Sequence, residues 1–209
     1  MKKFSLGLIF FITIFTASAQ RFEARVVGGL TSSQISGDGA YGFVQFGAMA
    51  GGEVSYNLND SWSMIFGLRF NQKGSRIYKS NNNVNTYRLR VNYIEAPLLI
   101  NFSIDQFSIC AGPVLGVKIN QRERTQFGEI DDPRIFDPIE LGAEFNIGYE
   151  LRDRLSLRLL YQNSIVSVRD HKVDQAFPPA LFVLGTWHQN MLNQGQYFTS
   201  LSLVLSYQL

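Results

Sequence analysis

The chain has 209 residues, with 19 lysines and arginines against 17 aspartates and glutamates, so its net charge is only +2. The basic residues form no block, which argues against a nucleic acid as partner. A single cysteine, Cys110, excludes an internal disulfide. Beyond residue 19, no apolar run is long enough for a membrane-spanning helix.

The first 19 residues are typical of a secretory signal peptide. Two lysines precede an apolar run at residues 6–15, and Ala-Ser-Ala at residues 17–19 supplies a small-residue cleavage site. The run is too short to span a bilayer, and the next residue is Gln20 rather than the cysteine of a lipoprotein. We therefore expect residues 20–209 to fold as one domain outside the cytoplasm.

Alternation of apolar and polar residues with a period of two recurs along the rest of the chain. Between Ile139 and Leu151, for example, every odd position is apolar and every even position is Glu, Asn or Gly. Because successive side chains of a β-strand point to opposite faces, each such segment predicts a strand with one apolar and one polar face. The eight predicted strands are residues 22–30, 46–58, 62–73, 87–104, 107–119, 139–151, 155–164 and 200–209.

The fourth predicted strand changes its pattern halfway. Its odd positions are apolar from Tyr87 to Tyr93, and its even positions are apolar from Ile94 to Ile104. One extra residue near Tyr93 would produce this change, as in a β-bulge. Alternatively, the first half of the strand stands above a membrane, where the alternation no longer has to be kept.

The connections alternate between short and long. Tight turns are predicted at residues 59–60, 105–106 and 152–153, where turn-forming residues join adjacent strands. The long polar connections are residues 32–43, 75–86, 121–137 and 169–195. This layout is typical of bacterial outer-membrane barrels, with short periplasmic turns and longer outer loops. The predicted fold is therefore all-β, an eight-stranded antiparallel up-and-down transmembrane β-barrel with both termini at the periplasmic end.

The composition of the polar face indicates that it lines the lumen and that the apolar face meets lipid. The polar face combines glycine and serine with six acidic and five basic residues. Small residues leave room inside an eight-stranded barrel, and nearly balanced charges can pair where an isolated charge would be costly. The predicted lumen charge network comprises Glu23, Arg25, Glu53, Arg69, Lys73, Glu95, Lys118, Glu140, Glu144, Glu150 and Arg158.

Aromatic residues near both ends of the strands support the same orientation, because membrane barrels carry an aromatic girdle at each interface. Near the short turns these are Tyr56, Trp62, Phe102, Phe107, Tyr149 and Tyr207, and toward the long loops they are Phe46, Phe70, Tyr93, Tyr161 and Phe198. The competing fold is a soluble lipocalin-like barrel or sandwich with its apolar face inside. Glycine and serine would then have no particular use on the charged outer face.

Four short motifs carry a family resemblance: "SQISGDG" at 33–39, "NQKGS" at 71–75, "YIEAP" at 93–97 and "AGPVLG" at 111–116. With them, the chain resembles a Bacteroidetes outer-membrane β-barrel protein of the PorT-like family. Ala96 departs from the β-branched or leucine residue usual before the proline. The resemblance implies an eight-stranded barrel in the outer membrane, with PorT itself associated with type IX secretion. The final Leu205, Tyr207 and Leu209 also resemble the alternating C-terminal signal of such barrels, with Leu209 replacing the commoner phenylalanine.

Three features are candidate functional sites. Glu95 and Pro97 both face inward if the strand keeps its alternation, which suits either a deformable lumen or a bulge packed around a salt bridge. The two histidines, His171 and His188, have no serine partner on a clear strand position, as a lipid-hydrolase site would require. A loop with oxygen-rich side chains matches no known calcium-loop spacing and is expected to be solvated rather than a metal site. Its acidic residues are Glu129, Asp131, Asp132 and Asp137.

The last long loop is strongly apolar between residues 176 and 187, and exposed apolar surface often marks an interaction site. Alternatively, this segment folds over the barrel mouth or lies at the membrane interface. The possible partner surface comprises Phe177, Leu181, Phe182, Leu184 and Trp187.

We expect a non-enzymatic outer-membrane protein without a cofactor, serving as a structural or accessory subunit of the cell envelope, in a secretion or assembly complex. Its expected partners are the lipid of the outer membrane and envelope proteins bound through the last loop. A narrow porin-like channel is the alternative, and a lipid-modifying enzyme is a third. Neither a small-molecule ligand nor the physiological process follows from the sequence.

Overall fold

The computed structural model describes residues 21–36, 42–78, 86–130, 135–169 and 195–209. The proposed signal peptide at residues 1–19 lies outside this part of the chain. Within the described residues no helix is long and apolar enough to cross a membrane. The strands are β1 (Phe22–Ser36), β2 (Gln45–Asn57), β3 (Trp62–Ile77), β4 (Tyr87–Ile104), β5 (Phe107–Thr125), β6 (Gly128–Glu129), β7 (Ile139–Arg152), β8 (Leu155–Ser164) and β9 (Tyr197–Gln208).

Eight long antiparallel strands form one closed sheet. Each pairs with its neighbour in the chain, β9 pairs with β1, and a β4–β5 pairing completes the ring in the order β4-β3-β2-β1-β9-β8-β7-β5. The two-residue β6 only extends β5 as a hairpin above the ring. The predicted up-and-down barrel is therefore confirmed. A closed ring has no free edge, so the backbone hydrogen bonds are satisfied between strands, as a bilayer requires.

Side-chain directions agree with an apolar exterior. Leu141, Phe145 and Leu203 lie on the outer wall and are exposed, whereas Glu140, Glu144 and Ser202 beside them are buried in the lumen. A soluble barrel would show the reverse arrangement. The exposed apolar wall thus matches the hydrocarbon band of a membrane barrel.

Several strands are longer than predicted, because they continue beyond the membrane. β3 has 16 residues and was predicted as 62–73, and β5 has 19 and was predicted as 107–119, whereas a tilted strand needs only about 9–11 residues to cross the hydrocarbon. Residues 121–125 were predicted as loop but belong to β5. The barrel wall therefore extends well above the outer interface on this side.

The pattern change in the fourth strand has a different origin from a bulge in that strand. In β4 the odd residues face inward throughout, from Leu89 to Asn101. The extra residue lies in the partner strand, since Tyr93 pairs with Lys118 and Asn92 with Asn120, which leaves Ile119 unpaired. The upper residues of β4 are apolar and inward because the interior itself is apolar above the membrane.

The aromatic girdle at the short-turn end is confirmed. Trp62, Phe107 and Tyr207 are exposed there, and neighbouring rings pair, with centroids 4.9 Å apart for Trp62–Phe102 and 5.0 Å for Phe107–Tyr149. At the other end the prediction was wrong for two residues. Tyr93 and Phe198 point into the lumen, because their positions share the alternation of the inward-facing residues on β4 and β9.

A charge placed on the outer wall tests the orientation. Leu203 lies in the middle of β9, level with Leu30 and Leu159 on the adjacent strands. We expect Leu203→Arg to lower the free energy of unfolding in lipid vesicles by about 2–4 kcal/mol, because the guanidinium would sit at the bilayer midplane. Denaturant titration followed by tryptophan fluorescence measures this change.

The matched control is Gln106→Arg, which adds the same charge at a short turn. It should change the free energy by less than about 1 kcal/mol, since that position lies at the interface. Equal stability of the two variants would contradict the assigned orientation.

Candidate functional site

A buried network of ionised side chains occupies the middle of the lumen, and Arg69 on β3 is its hub. Arg69 Nε donates to Glu95 Oε2 at 3.0 Å, and Arg69 Nη2 donates to Glu144 on β7. Because β7 is separated from β3 by β4 and β5 on one side and four strands on the other, the bond to Glu144 crosses the lumen. One guanidinium therefore fixes opposite walls of the barrel.

Lys73 forms a second connection four residues further along β3, toward the long loops. Its Nζ lies 2.7 Å from Glu95 Oε1 and donates to Glu140 Oε1 at 2.9 Å, which again links β3 to β7. Glu95 is thus shared between Lys73 and Arg69. Gly116 on β5 lies next to this pair, since a Cβ atom there would be in van der Waals contact with Glu140 Cβ at 3.5 Å.

A third connection joins Arg158 on β8 to Glu53 on β2. Arg158 Nη2 lies 2.8 Å from Glu53 Oε2, but the two groups lack hydrogen-bond alignment. Arg69 Nη1 is the other cation near Glu53, at 4.0 Å from its Oε1. Glu53 is therefore held by electrostatic attraction from two guanidinium groups, and this is the least tightly bonded part of the network.

Neutral polar side chains complete the hydrogen bonding of the carboxylates. Glu95 accepts from Asn71 Nδ2 and Gln162 Nε2, both at 3.1 Å, and Glu140 accepts from Ser164 Oγ at 2.7 Å. Glu144 accepts from Asn146 Nδ2 at 2.9 Å. Buried charges are tolerated when they are paired and hydrogen-bonded, so these neighbours make the network possible.

Above the network, toward the long loops, the lumen is filled by apolar side chains. Phe136, from the connection before β7, lies under the barrel mouth and stacks on Phe198 with ring centroids 5.5 Å apart. Tyr93 meets Phe198 edge-on at 5.9 Å. We call this group the apolar cap; it comprises Ile35, Leu89, Val91, Tyr93, Phe136, Val168 and Phe198.

Polar contacts hold the apolar cap in place from above. The Arg169 guanidinium lies 4.2 Å from the Phe136 ring centroid and 3.6 Å from Glu123 Oε2. Tyr87 donates to Glu123 Oε1 at 2.6 Å, and the Phe136 amide donates to Gln121 Oε1 at 2.9 Å. The loop residue Phe136 is therefore anchored to the wall at several points.

The periplasmic end is open and polar. A cavity of about 470 Å³ lies beside the Asn59–Ser61 turn, lined among others by Glu23, Arg25 and Asn101. A smaller one of about 120 Å³ reaches inward to Cys110 and Arg158. Cys110 is buried and free, and its thiol donates to Asn101 Oδ1 at 3.0 Å.

The structure brings together seven of the predicted charged residues and leaves the others apart. The seven in the buried network are Glu53, Arg69, Lys73, Glu95, Glu140, Glu144 and Arg158. With four carboxylates and three cations, the network has one more acid than base, the same difference as in the predicted set of six acidic and five basic residues.

The remaining four predicted residues lie elsewhere. Glu23 and Arg25 pair with each other at 2.9 Å near the periplasmic mouth, half-buried. Lys118 donates to the Phe136 carbonyl and so supports the apolar cap. Glu150 is exposed at the periplasmic end and lines the smaller cavity, outside the buried network.

Sequence reasoning missed the apolar part of the interior. Val27, Met49, Leu160 and Val204 form one buried cluster, and Ile65 and Leu99 pack with Cys110 in another. Each of these residues has the same odd or even position as the inward polar residues on its strand. The alternation would therefore have identified them as inward residues, although their apolar side chains suggested the outer face. The same alternation places the polar partners Asn71, Asn146 and Gln162 on the inward face.

Pro97 faces inward, as expected from the alternation of β4. The β3–β4 pairing is interrupted between Phe66–Leu98 and Arg69–Glu95, which accommodates the missing N–H of proline. A Cβ atom on Gly67 would lie 3.0 Å from Pro97 Cγ, so the glycine makes room for the ring. With Glu95 in two salt bridges beside it, this geometry is that of an irregularity packed around a salt bridge.

Several predicted sites lie partly or wholly outside the described residues. These are His171 and His188, the apolar stretch 176–187 with its possible partner surface, and Asp131 and Asp132 of the acidic loop. Of that loop, Glu129 is exposed and pairs with Arg124 at 3.3 Å. In the part of the chain that the structure describes, no group of three or more metal-ligating side chains is found.

A closed barrel with an apolar wall, an aromatic girdle and a sealed charged interior defines an integral membrane β-barrel protein. The family model described as "Outer membrane protein beta-barrel domain" matches residues 3–168, most of the chain. The protein belongs to this family and is a protein of the Gram-negative outer membrane.

Comparison with other proteins adds the following. No curated protein has significant similarity to this chain. Among solved structures, Ail of Yersinia pestis is 13% identical with a TM-score of 0.47, covering 90% of this chain and 98% of Ail. Neisserial surface protein A is 12% identical with a TM-score of 0.44, covering 89% and 96%. OprG of Pseudomonas aeruginosa is 9% identical with a TM-score of 0.43, covering 90% and 95%.

The coupling across the lumen can be measured with a double-mutant cycle on Lys73 and Glu140. We expect Lys73→Met and Glu140→Gln each to destabilise the barrel by about 3–5 kcal/mol, because each leaves a buried partner without its counter-charge. The double variant should cost less than the sum by about 1–3 kcal/mol. Equilibrium unfolding in lipid vesicles gives all four free energies.

Arg25→Met is the control, since it breaks the partly exposed Glu23–Arg25 pair. Such pairs contribute about 1 kcal/mol or less. If the Lys73 and Glu140 effects were additive, or no larger than that of Arg25→Met, the cross-lumen network would not hold the barrel together.

Proposed function

We propose that the protein is a non-enzymatic, non-conducting barrel of the PorT-like type that serves as a structural or accessory subunit of the cell envelope, within a secretion or assembly complex. The observation that carries this proposal is the closure of the lumen at two successive levels. Because a solute cannot pass through a lumen closed in this way, the outer surfaces and loops are the parts of the barrel that can act on other molecules. Such a protein acts by anchoring and presenting those surfaces rather than by passing a solute.

The lower level of closure is the ion network. The Arg69–Glu144, Lys73–Glu140 and Arg158–Glu53 contacts each join strands on different sides of the lumen. Opening a path would separate buried charges from their partners, which costs several kcal/mol for each pair. Spontaneous opening of the whole network would therefore be infrequent.

The upper level is the apolar cap, whose rings and aliphatic side chains fill the barrel mouth beneath the loops. Apolar constrictions in pores exclude water and ions by dewetting. An ion that passed the charge network would still meet this second barrier. The two levels differ in chemistry, so a single substitution is not expected to open both.

The last loop is the proposed contact with a partner protein. Its apolar residues Phe177, Leu181, Phe182, Leu184 and Trp187 would be costly to leave exposed to water. Both ends of the loop are attached to the barrel mouth, where Arg169 and Gln196 form an isolated bridge and Arg169 Nε donates to Gln196 Oε1 at 2.7 Å. The loop therefore starts from a fixed base above the apolar cap.

Gentle detergent extraction from native membranes tests the accessory role. We expect the full-length protein to co-purify with other envelope proteins, and deletion of residues 176–187 to reduce that association at least tenfold while the barrel remains folded. Quantitative mass spectrometry of the eluates provides the measurement. Recovery of a lone monomer from the wild type would contradict the accessory role.

A narrow channel is the second candidate, favoured by the polar periplasmic cavities that lead toward Arg158 and Glu53. Planar-bilayer recording separates the two candidates. We expect the wild type to give no reproducible single-channel steps. Steady steps that disappear when Phe136 is replaced by Trp, a larger side chain in the apolar cap, would favour the channel instead.

A further inference from the structure

The outer wall of β3, β4 and β5 carries a dense group of arginines above the membrane band. The buried residues Leu89, Val91 and Glu123 point into the barrel, so the residues alternating with them face outward. We call this group the arginine face; it comprises Arg76, Arg88, Arg90, Arg122 and Arg124.

Strand pairing places these arginines directly opposite one another. Arg88 pairs with Arg76 on one side and Arg124 on the other, and Arg90 pairs with Arg122. Side chains in such positions have Cβ atoms about 5 Å apart, and like charges there destabilise a sheet. With strands about 4.8 Å apart and the two rows two residues apart, the Cα atoms of all five arginines fall within roughly 10 Å by 7 Å.

Among the described residues, an acid pairs with one of these five arginines. Arg124 pairs with Glu129 in an exposed contact at 3.3 Å, and the Arg76 guanidinium stacks 4.1 Å from the Tyr78 ring centroid. None of the ion pairs formed by the described residues includes Arg76, Arg88, Arg90 or Arg122. The Nε atoms of Arg88 and Arg90 are enclosed without a hydrogen-bond partner.

Arg88 lies at the centre of this group of charges. Partial burial, followed by the neighbouring charges of Arg90 and Arg76, lowers the pKa of the Arg88 guanidinium. A like-charged group at this density is costly to fold unless an anion joins it. The geometry therefore points to a ligand that supplies negative charge from outside the chain.

The height of the arginine face on the barrel indicates which anion this is. Below it the wall is apolar, with Ile119 and Val117 exposed. A row of amide side chains lies between the arginine face and the apolar wall. In this row Gln72 donates to Asn92 at 2.9 Å, and Asn92 donates to Asn120 at 2.7 Å. The wall thus changes upward from apolar to neutral polar to cationic, matching acyl chains, the glycerol or sugar region, and charged headgroups of the outer leaflet.

We propose that the arginine face binds the phosphate groups of a phosphorylated lipid headgroup in the outer leaflet of the outer membrane. Guanidinium groups form paired, charge-assisted hydrogen bonds with phosphate oxygens. Two adjacent rows allow two phosphates of one headgroup, or two lipids, to be held at once. This inference holds whether the barrel is an accessory subunit or a channel, because it concerns the outer wall alone.

Lipid retention by the folded barrel tests the proposal. The mature chain is refolded in zwitterionic detergent, and the affinity for diphosphorylated lipid A and for its phosphate-free analogue is measured by native mass spectrometry. We expect the phosphorylated lipid to bind at least tenfold more tightly. The triple variant Arg88→Gln, Arg90→Gln and Arg122→Gln should lose about tenfold or more of that affinity, since it removes charge-assisted hydrogen bonds.

A matched control removes three charges from the opposite rim. Arg21, Arg152 and Arg154 are exposed near the periplasmic end, and replacing all three by Gln should leave lipid affinity within twofold of the wild type. Circular dichroism and heat-dependent gel mobility verify that each variant is folded. Equal loss in both triple variants would show a general charge effect and overturn the proposal.

Two further results would also overturn it. The triple variant of the arginine face could retain lipid as well as the wild type does, or the phosphate-free lipid could bind equally well. Binding of soluble polyphosphate that is lost in the triple variant, with lipid retention unchanged, would assign the surface to a soluble polyanion instead.

Stability provides a readout that does not depend on lipid affinity. In phosphate-free zwitterionic micelles, Arg88→Gln should raise the unfolding midpoint, because it removes the middle charge of a repelling row. Added diphosphorylated lipid A should then stabilise this variant less than the wild type. A lowered midpoint without lipid would contradict the repulsion on which the proposal depends.

Discussion

The structure depends on one interaction, the pairing of Arg69 with carboxylates from other strands. Its guanidinium is bonded to Glu95 on the adjacent strand and to Glu144 across the lumen. Within the membrane the outer wall is apolar and meets hydrocarbon, so the ionised residues at that level face the lumen. Enclosed between walls, they must find partners, and those partners determine how the two sides of the ring face each other.

The interior is layered, and each layer has a separate role. An open polar mouth lies at the periplasmic end, the ion network lies in the middle, and the apolar cap fills the upper end. Above the membrane the wall continues on β3, β4 and β5 and presents arginines on its outer side. A barrel with a closed lumen and an extended outer wall is suited to holding binding surfaces in place at the membrane.

Much of this could be predicted from the alternation of residues, since a closed two-faced sheet leaves each side chain only two directions. Strand number, orientation and the main charged residues followed from it. The same alternation explains the wrong assignments, because these residues were placed by side-chain type rather than by their odd or even position in the strand. Tyr93 and Phe198 were assigned to the outer girdle by residue type, although their positions on β4 and β9 point inward.

Other features depend on contacts between distant parts of the chain, which alternation does not encode. The extra residue in β5 at Ile119 follows from its register with β4, and Phe136 reaches the lumen only because its loop folds inward. The arginine face was not predicted, because its residues were assigned to loops or counted without regard to neighbouring strands.

Hydrocarbon surrounds the apolar wall, while the alternate residues are sealed inside. Two adjacent pairs, Leu159 with Leu160 and Leu203 with Val204, contain one outward and one inward residue each. Nuclear Overhauser measurements on methyl-labelled protein in lipid nanodiscs report directly which methyl groups touch acyl chains. We expect cross-peaks with lipid for Leu159 and Leu203 and none for Leu160 and Val204. Lipid contacts at Leu160 and Val204, with none at Leu159 and Leu203, would contradict the account.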